Sequence, residues 1–311
     1  MTDVDSLLES VCAGNQRGLG QAVTYLENRL DGYRELASSL RANSQDARVI
    51  GVTGPPGAGK STIVDQLIAT YRGADQSVGI IAVDPSSPFS GGSILGDRVR
   101  MSRARGDSNV FVRSMSTRGT LGGLSPAIGD VIAAFDAYGT DYIIIETVGA
   151  GQNEVDIVRV ADTVCLVTQP ASGDDIQMLK AGVLEIADVF VVNKADLPGV
   201  DRTVERLREL RAMDNSPWEA PIIETVATDG VAMDAVYDHI EAHHNWLVST
   251  GAIHERRHDR KLADLRRILR EDVRVRIDRK LTADPEIEQS LDDTDPYAIA
   301  DALLAEYRCD E

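Results

Sequence analysis

Lysine is nearly missing from this chain. Five lysines stand among 311 residues, against 27 arginines, and 33 Asp with 17 Glu leave a formal net charge of −18. A surface this acidic is a poor partner for nucleic acid or an anionic lipid face, so both are excluded as expected partners. The acids are spread along the chain rather than gathered in a tail. With lysine so scarce, the balance reads as adaptation to a salt-rich cytoplasm, where screening removes self-repulsion. An ordinary acidic protein is the plainer alternative. Cysteine is scarce too: Cys12, Cys165 and Cys309 lie far apart. That excludes a disulfide framework and points to a reducing, cytoplasmic compartment. No apolar run approaches the length of a membrane span. The opening MTDVDSLLES is acidic and matches neither a secretory signal nor a transit peptide.

What the chain does have is enough apolar content, 43%, to fill a core. Its length allows one large domain with appendages, or two domains. Residues 1–45 read as helical, with Leu7, Leu8, Val11, Leu19, Val23, Leu26 and Leu30 at spacings of three and four within the two runs. Strand-like runs follow: VIGVTG (49–54), VGIIAVD (78–84), NVFVRSM (109–115), YIIIET (142–147), TVCLVTQ (163–169), DVFVVNK (188–194) and PIIETVA (221–227). Helix-length segments separate most of them. Continuous apolar strands with helical crossovers imply a mostly parallel sheet covered on both faces. From about 251 the strand signal stops, and a charged helical segment carries Leu262, Leu265, Ile268 and Leu269 on one face. The expected architecture is α/β, with an N-terminal helical extension (1–45), a nucleotide-binding domain (46–250) and a C-terminal helical arm (251–311).

The chemistry is concentrated in "VIGVTGPPGAGKST", a strand, a glycine-rich turn and a helix start. Gly54, Gly59, Lys60 and Ser61 match G-x-x-x-x-G-K-[ST]. Glycine lets the backbone N–H groups point inward, and the helix N-terminus adds partial positive charge. Gly54, Pro55, Pro56, Gly57, Ala58, Gly59, Lys60, Ser61 and Thr62 are therefore the expected phosphate cradle. Lys60 is expected on the β- and γ-phosphates and Ser61 on Mg²⁺. "NKAD" (193–196) ends a later strand. Asp196 there can accept from the guanine ring N–H and its exocyclic amine, which adenine lacks. Sites of that kind reject the wrong partner by up to roughly 10⁴–10⁵. Asn193 would brace the loop and the Lys194 stem would lie over the base. Together the two motifs specify GTP and GDP. A third piece is expected in "TVATDG" (225–230), at Val226 and Ala227, with the Ala227 N–H the candidate for guanine O6.

Glu146 ends the strand YIIIET, beside the phosphates. It is expected to hold Mg²⁺ directly or through a water, with the Gly149 N–H near the γ-phosphate. Most GTPases place Asp at the first position and Gln after the glycine; here Ala150 follows Gly149. Ala150 cannot position the attacking water. Gln152, Glu154 or a partner residue are the candidates, so the isolated protein is expected to hydrolyse slowly. Asp84 ends a strand on the phosphate side, and Asp97 sits in a Gly/Ser-rich segment. Both are candidate Mg²⁺ or phosphate-side acids, although Asp97 suits a helix N-cap before RVRM nearly as well.

With these residues in hand, the chain resembles the MeaB/ArgK family of P-loop GTPases. The resemblance is carried by "GPPGAGKST", "AVDPSSPFSGGSILGDRVRM", "ETVGAGQNE", "KAGVLEIADVFVVNKAD" and "SPWEAPIIETVA", over about 45–250. It implies a G-protein chaperone of adenosylcobalamin-dependent methylmalonyl-CoA mutase that gates cofactor loading and protects the mutase. It also implies a homodimer built largely through the C-terminal arm. The nucleotide-responsive loops it implies match 84–105, 147–157 and 170–181, the last containing Lys180. An older label for the family is a transport-system kinase; no sequence feature supports transport directly.

Two other patterns compete for notice. "HERRH" (254–258) matches the zinc-protease helix motif H-E-x-x-H, but its two internal arginines suggest a solvated helix and no third ligand lies nearby. His239, His243 and His244 have metal-like spacing but read more simply as a surface helix. A metal-delivery GTPase of the nickel-inserting type shares the architecture; it would want a Cys/His cluster near the glycine-rich loop or switch, and none of the three cysteines lies there. A small-molecule kinase would leave NKAD unexplained.

Overall fold

The computed structural model describes residues 3–84, 106–116, 124–147, 156–170, 186–213, 216–284, 287, 290–291 and 294–307. All seven expected strands form: β1 (Arg48–Thr53), β2 (Val78–Asp84), β3 (Val110–Ser116), β4 (Tyr142–Thr147), β5 (Thr163–Thr168), β6 (Val189–Asn193) and β7 (Ile222–Thr225). They make one sheet in the order β3-β2-β4-β1-β5-β6-β7, with every neighbour pair parallel. Strands β4, β5 and β6 are buried at every position. That is why their sequences read as continuous apolar runs rather than alternating ones. Around the sheet, among the described residues, lie α1 (Val4–Cys12), α2 (Gln16–Glu27), α3 (Tyr33–Ala42), α4 (Lys60–Gly73), α5 (Ile128–Ala137), α6 (Val200–Arg211) and α7 (Met233–Thr250). The long α8 (Ala252–Ala283) and α9 (Pro296–Tyr307) complete the chain.

Period-two side-chain alternation sorts the strands onto two cores. Val49, Ile81, Ile143, Ile145 and Val164 join Leu7, Leu19, Leu26, Leu36, Leu40 and the α5 residues Val131 and Phe135. Ile50, Val52, Ile80, Ile144, Cys165 and Val167 join Ile63, Leu67 and Tyr71 of α4 and Val236 and Ile240 of α7. The N-terminal helices are thus a covering layer of the sheet. Each fully buried leucine they contribute stabilises by about 2 kcal/mol. Asn15 starts α2 by accepting from the backbone N–H groups of Arg17 (2.9 Å) and Gly18 (3.2 Å).

By its contacts the chain divides into Met1–Arg260 and Lys261–Glu311. These limits differ from the sequence-based boundaries at 45/46 and 250/251. Helices α1–α3 share the sheet's core, so no boundary follows them. The first turns of α8 also belong to the first unit, for an electrostatic reason. Arg256 makes a two-pronged contact to Asp188, with Nη2 to Oδ1 at 2.7 Å and Nη1 to Oδ2 at 2.9 Å. Arg260 reaches Asp162 Oδ1 at 2.7 Å, and Arg257 reaches Asp46 Oδ1 at 2.8 Å and Asp162 Oδ2 at 3.4 Å. Asp162 and Asp188 are buried and immediately precede β5 and β6. In the second unit, Leu262, Leu265, Ile268, Leu269, Val273, Ile277 and Leu281 of α8 are 36–55% exposed. Ion pairs of Arg267 with Asp264, and of Arg274 with Glu271 and Asp278, run along the same helix.

Two sequence readings are corrected here. The arginines inside HERRH do not mark a solvated face: Arg256 and Arg257 dock the helix, while His254, Glu255 and His258 are exposed. Nor is His243 a surface residue. It is fully buried, with Nδ1 at 2.9 Å from Thr163 Oγ1 and its ring stacked on Trp246 at 5.8 Å and beside Trp218 at 4.9 Å. Its Nε2 lies 3.3 Å from Asp188 Oδ1, out of hydrogen-bond alignment. Burial pushes the ring pKa down to about 4, further lowered by Arg256 and opposed by Asp188. The ring is neutral at pH 7. His239, by contrast, is exposed.

Candidate nucleotide-binding site

The glycine-rich loop joins the end of β1 to the start of α4 at the carboxyl edge of the sheet. Crevices there receive ligands in open α/β sheets. Its conformation depends on glycine. Gly54 has φ +137°, and a Cβ on it would come within 1.9 Å of Val167 O. Gly59 has φ +95°, and a Cβ there would meet Asn193 Nδ2 at 2.2 Å. Any side chain at either position would push the loop off its neighbours. The Ala58 N–H donates to Pro55 O at 3.3 Å, and the N–H groups of Thr62 and Ile63 donate to Gly59 O at 3.0 Å. Pro56 and Gly57 are exposed at the loop's crest, and Ala58 is buried beneath it. Lys60 is buried, and its ammonium donates to Gly54 O at 2.6 Å and Pro55 O at 3.0 Å. A positive charge therefore sits inside the loop.

Two oxygen donors meet below it. Ser61 Oγ, in the first turn of α4, donates to Glu146 Oε1 at 2.6 Å. Glu146 is 2% exposed, beside Val52 of β1 and Ala82 of β2 in the sheet register. A hydroxyl and a buried carboxylate in contact next to a phosphate-type loop are the donors a hard divalent cation takes, so Ser61 and Glu146 fit Mg²⁺. The next residue, Thr147, donates from Oγ1 to Thr53 Oγ1 at 2.9 Å and ties the ends of β4 and β1 together. Asp84 closes β2, in register with Ser116; its side chain lies outside the described residues. So do Asp97, Gly149, Ala150, Gln152, Glu154 and Lys180.

Asn193 links three segments. Its Nδ2 donates to Ala58 O at 2.8 Å, and its Oδ1 accepts from Thr225 Oγ1 at 3.2 Å and from the Ala227 N–H at 3.1 Å. All of these groups are buried. Lys194 takes a left-handed backbone (φ 59°), and its ammonium donates to Gly57 O and Gln169 Oε1, both at 2.7 Å. Asp196 is exposed on the turn that follows. Val226 is in place after β7, its carbonyl accepting from the Asp229 and Val231 N–H groups at 3.0 and 3.2 Å. The Ala227 N–H, the sequence-based candidate for guanine O6, donates to Asn193 Oδ1 here. Its carbonyl accepts from Gln66 Nε2 at 2.8 Å, so both backbone groups of Ala227 are engaged inside the protein. Sequence reasoning missed Gln66, Gln169 and the Thr53–Thr147 pair. For Gln169 a signal existed: a polar residue directly after a buried strand that neighbours β1.

The family model described as "Methylmalonyl Co-A mutase-associated GTPase MeaB" matches residues 19–282. An archaeal relative from Pyrococcus horikoshii, described only at the level of GTPase, is 44% identical over 98% of both chains. A mouse protein named methylmalonic aciduria type A homolog, mitochondrial, is 30% identical over 87% of this chain and 70% of its own. Among solved structures, a LAO/AO transport system kinase superposes with a TM-score of 0.67 over 99% of both chains, at 20% identity. That likeness speaks for the fold alone.

Proposed function

The chain belongs to the MeaB family of methylmalonyl-CoA mutase-associated GTPases, and we propose that it is a GTP-binding and GTP-hydrolysing chaperone. Its client in this reading is an adenosylcobalamin-dependent methylmalonyl-CoA mutase, whose cofactor loading it gates and whose active form it protects. The observation that supports the nucleotide half best is the Asn193 carboxamide. It fastens the NKAD strand end, the glycine-rich loop and the segment after β7 into one buried unit. Lys60 would neutralise the β- and γ-phosphates, and Asp196 would select guanine. Ser61 and Glu146 would hold Mg²⁺, which when bound supplies charge neutralisation on the phosphate oxygens. The exposed apolar stripe of α8 supports a homodimer through the arm. The cytoplasm is the proposed compartment.

With Ala150 in the place where other GTPases carry a water-positioning Gln, turnover by the pure protein is slow in this reading and the mutase accelerates it. The test is GTP turnover with and without the mutase from the same source. The expected rise is at least tenfold, about 1.4 kcal/mol of barrier. A mutase that neither binds nor changes turnover removes the chaperone assignment and leaves the nucleotide assignment standing. The metal-delivery alternative wants thiolates or imidazoles at the loop. Cys12 lies in α1 and Cys165 in the middle of β5, away from it. The transport-kinase alternative rests on an older family label, and no sequence feature supports transport directly; the LAO/AO transport system kinase, at 20% identity, speaks for the fold alone.

A further inference from the structure

Gln169 lies immediately beyond β5, whose last residue, Thr168, is in register with Val192 of β6. It is half-buried. Its Oε1 accepts from the Lys194 ammonium at 2.7 Å, and the same ammonium donates to Gly57 O at 2.7 Å. Three segments meet at that one nitrogen: the loop crest, the end of β5 and the NKAD turn. Among the described residues, Lys194 is also one of the few non-glycine residues with positive φ, at 59°. A side chain does not hold such a backbone unaided; surrounding contacts must fix it. Here they are the two ammonium bonds and the Leu197 N–H to Lys194 O bond at 3.0 Å, which closes the turn that carries Asp196. A free lysine side chain samples many rotamers, and ordering it opposes binding. Gln169 and Gly57 do that ordering before a nucleotide arrives. A carboxamide suits the task. It accepts a charge-assisted hydrogen bond without cancelling the lysine charge or setting a carboxylate near the phosphates.

We propose that Gln169 is a positioning residue for base recognition: by holding the Lys194 ammonium against Gly57 O, it presets the Lys194 stem and the Asp196 turn that receive the guanine. This rests on the guanine-nucleotide reading above. The test uses the full chain and fluorescently labelled GDP displaced by excess GDP, with ADP and inorganic pyrophosphate as comparison ligands. In Gln169→Ala, GDP should leave at least fivefold faster and the KM for GTP should rise more than kcat falls. Pyrophosphate affinity and melting temperature should stay near those of the parent chain. Gln169→Glu keeps an acceptor oxygen at the same reach, so GDP should leave more slowly than from Gln169→Ala, while pyrophosphate binds more weakly than to the parent because a carboxylate now sits near the phosphates. An unchanged off-rate in Gln169→Ala overturns the proposal. So does equal weakening of GDP and pyrophosphate with a lowered melting temperature, which would mark a merely structural side chain. If the parent chain binds ADP as tightly as GDP, the guanine reading fails and this proposal with it. If the parent discriminates and only the variant is silent, Gln169 alone loses its role.

Discussion

The two ends of the sheet are held together by opposite means. At the carboxyl edge the loops are organised by backbone groups, glycine geometry and neutral carboxamides. Gly54 O, Gly57 O and Ala58 O receive Lys60, Lys194 and Asn193. At the amino edge the structure is ionic. Asp162 and Asp188 are buried there against Arg256, Arg257 and Arg260. Burial on its own would raise the Asp162 pKa; Arg260, Arg257 and the Val49 N–H outweigh it and hold the carboxyl below its usual range. The carboxyl edge keeps its charges where a ligand can use them. The amino edge spends its charges internally, fixing the root of α8 to β5 and β6. One edge should therefore be soft to mutation in stability and hard in activity, and the other the reverse.

The largest expected effect tests the first half of that statement. Lys60→Ala removes the charge within the loop, and GTP turnover should fall at least a thousandfold, about 4 kcal/mol of barrier. Its unfolding midpoint in urea should barely move. A variant that unfolds before it loses activity would break the contrast. Arg256→Ala is the counterpart. It leaves Asp188 buried with one strong partner removed, and should cost about 3 kcal/mol in urea unfolding, while the folded protein keeps its KM for GTP within twofold. A large KM change would mean that the two edges are coupled through β6.

The carboxyl edge was legible in the sequence because its constraints are local. Glycines, a lysine and a serine at fixed spacing build a loop whatever lies elsewhere, and NKAD ends an apolar strand. The seven strands were legible because burial on both faces forces continuous apolar runs. The amino edge was not legible, since its partners lie 68 to 98 residues apart and obey no period. The arginines of HERRH looked solvated because charge in a helix usually is. His243 looked exposed because its cover, Thr163 and Trp218, comes from distant segments. One clue was present: "AD" precedes both TVCLVT and VFVVN, setting an acid at the mouth of two adjacent strands. The partner of Ala227 was not legible either: the motif locates a backbone N–H, but that Asn193 Oδ1 accepts from it depends on where Asn193 points.

Asp196→Asn sharpens the comparison at the carboxyl edge. Losing the paired acceptor for the guanine amine should cost about a hundredfold in GDP affinity, or 2.7 kcal/mol, and shift preference towards xanthine nucleotides. Calorimetry with GDP, XDP and ADP measures it, and unchanged selectivity would displace Asp196 from the role. Asp196 is exposed, so stability should not follow.

His243 gives the amino edge a pH signature. Its folded pKa, about 4, lies below the free value of 6.5. The stabilisation from keeping the ring neutral is therefore fully present above pH 6.5 and is lost as pH falls towards 4. Between pH 7 and 5 this should remove about 2 kcal/mol of unfolding free energy. Asp162, with its lowered pKa, adds a further loss that begins as pH falls through the ordinary carboxylate value of 3.8 and continues below it, so the interval from pH 7 to 5 reports mainly the first step. Urea unfolding at pH 7, 6 and 5 should show the first step in the parent chain. It should be much smaller in His243→Gln, which can still bond Thr163. An equal slope in both would assign the acid sensitivity elsewhere.

The smallest effect concerns salt, and it separates the amino edge from the rest of the surface. A net charge of −18 means that Asp and Glu outnumber Lys and Arg by 50 to 32, and the repulsion among the excess acids opposes the compact state. In molar KCl the screening length shrinks to about 3 Å, and that repulsion is largely removed. Asp162 and Asp188 are shielded from the solution, so their pairs should survive the same salt. We propose that the acidic surface is a saline adaptation, and expect the melting temperature to rise between dilute and molar KCl. The gain is about 1 kcal/mol, roughly 2 °C for a domain of this size. Arg256→Ala should start lower and rise with the same slope, because the pair it lacks is not one that salt screens. A parent curve that is flat or falling refutes the saline reading. A different slope in Arg256→Ala would mean that solvent ions reach Asp188, and the amino edge would then be electrostatically no different from the outer surface.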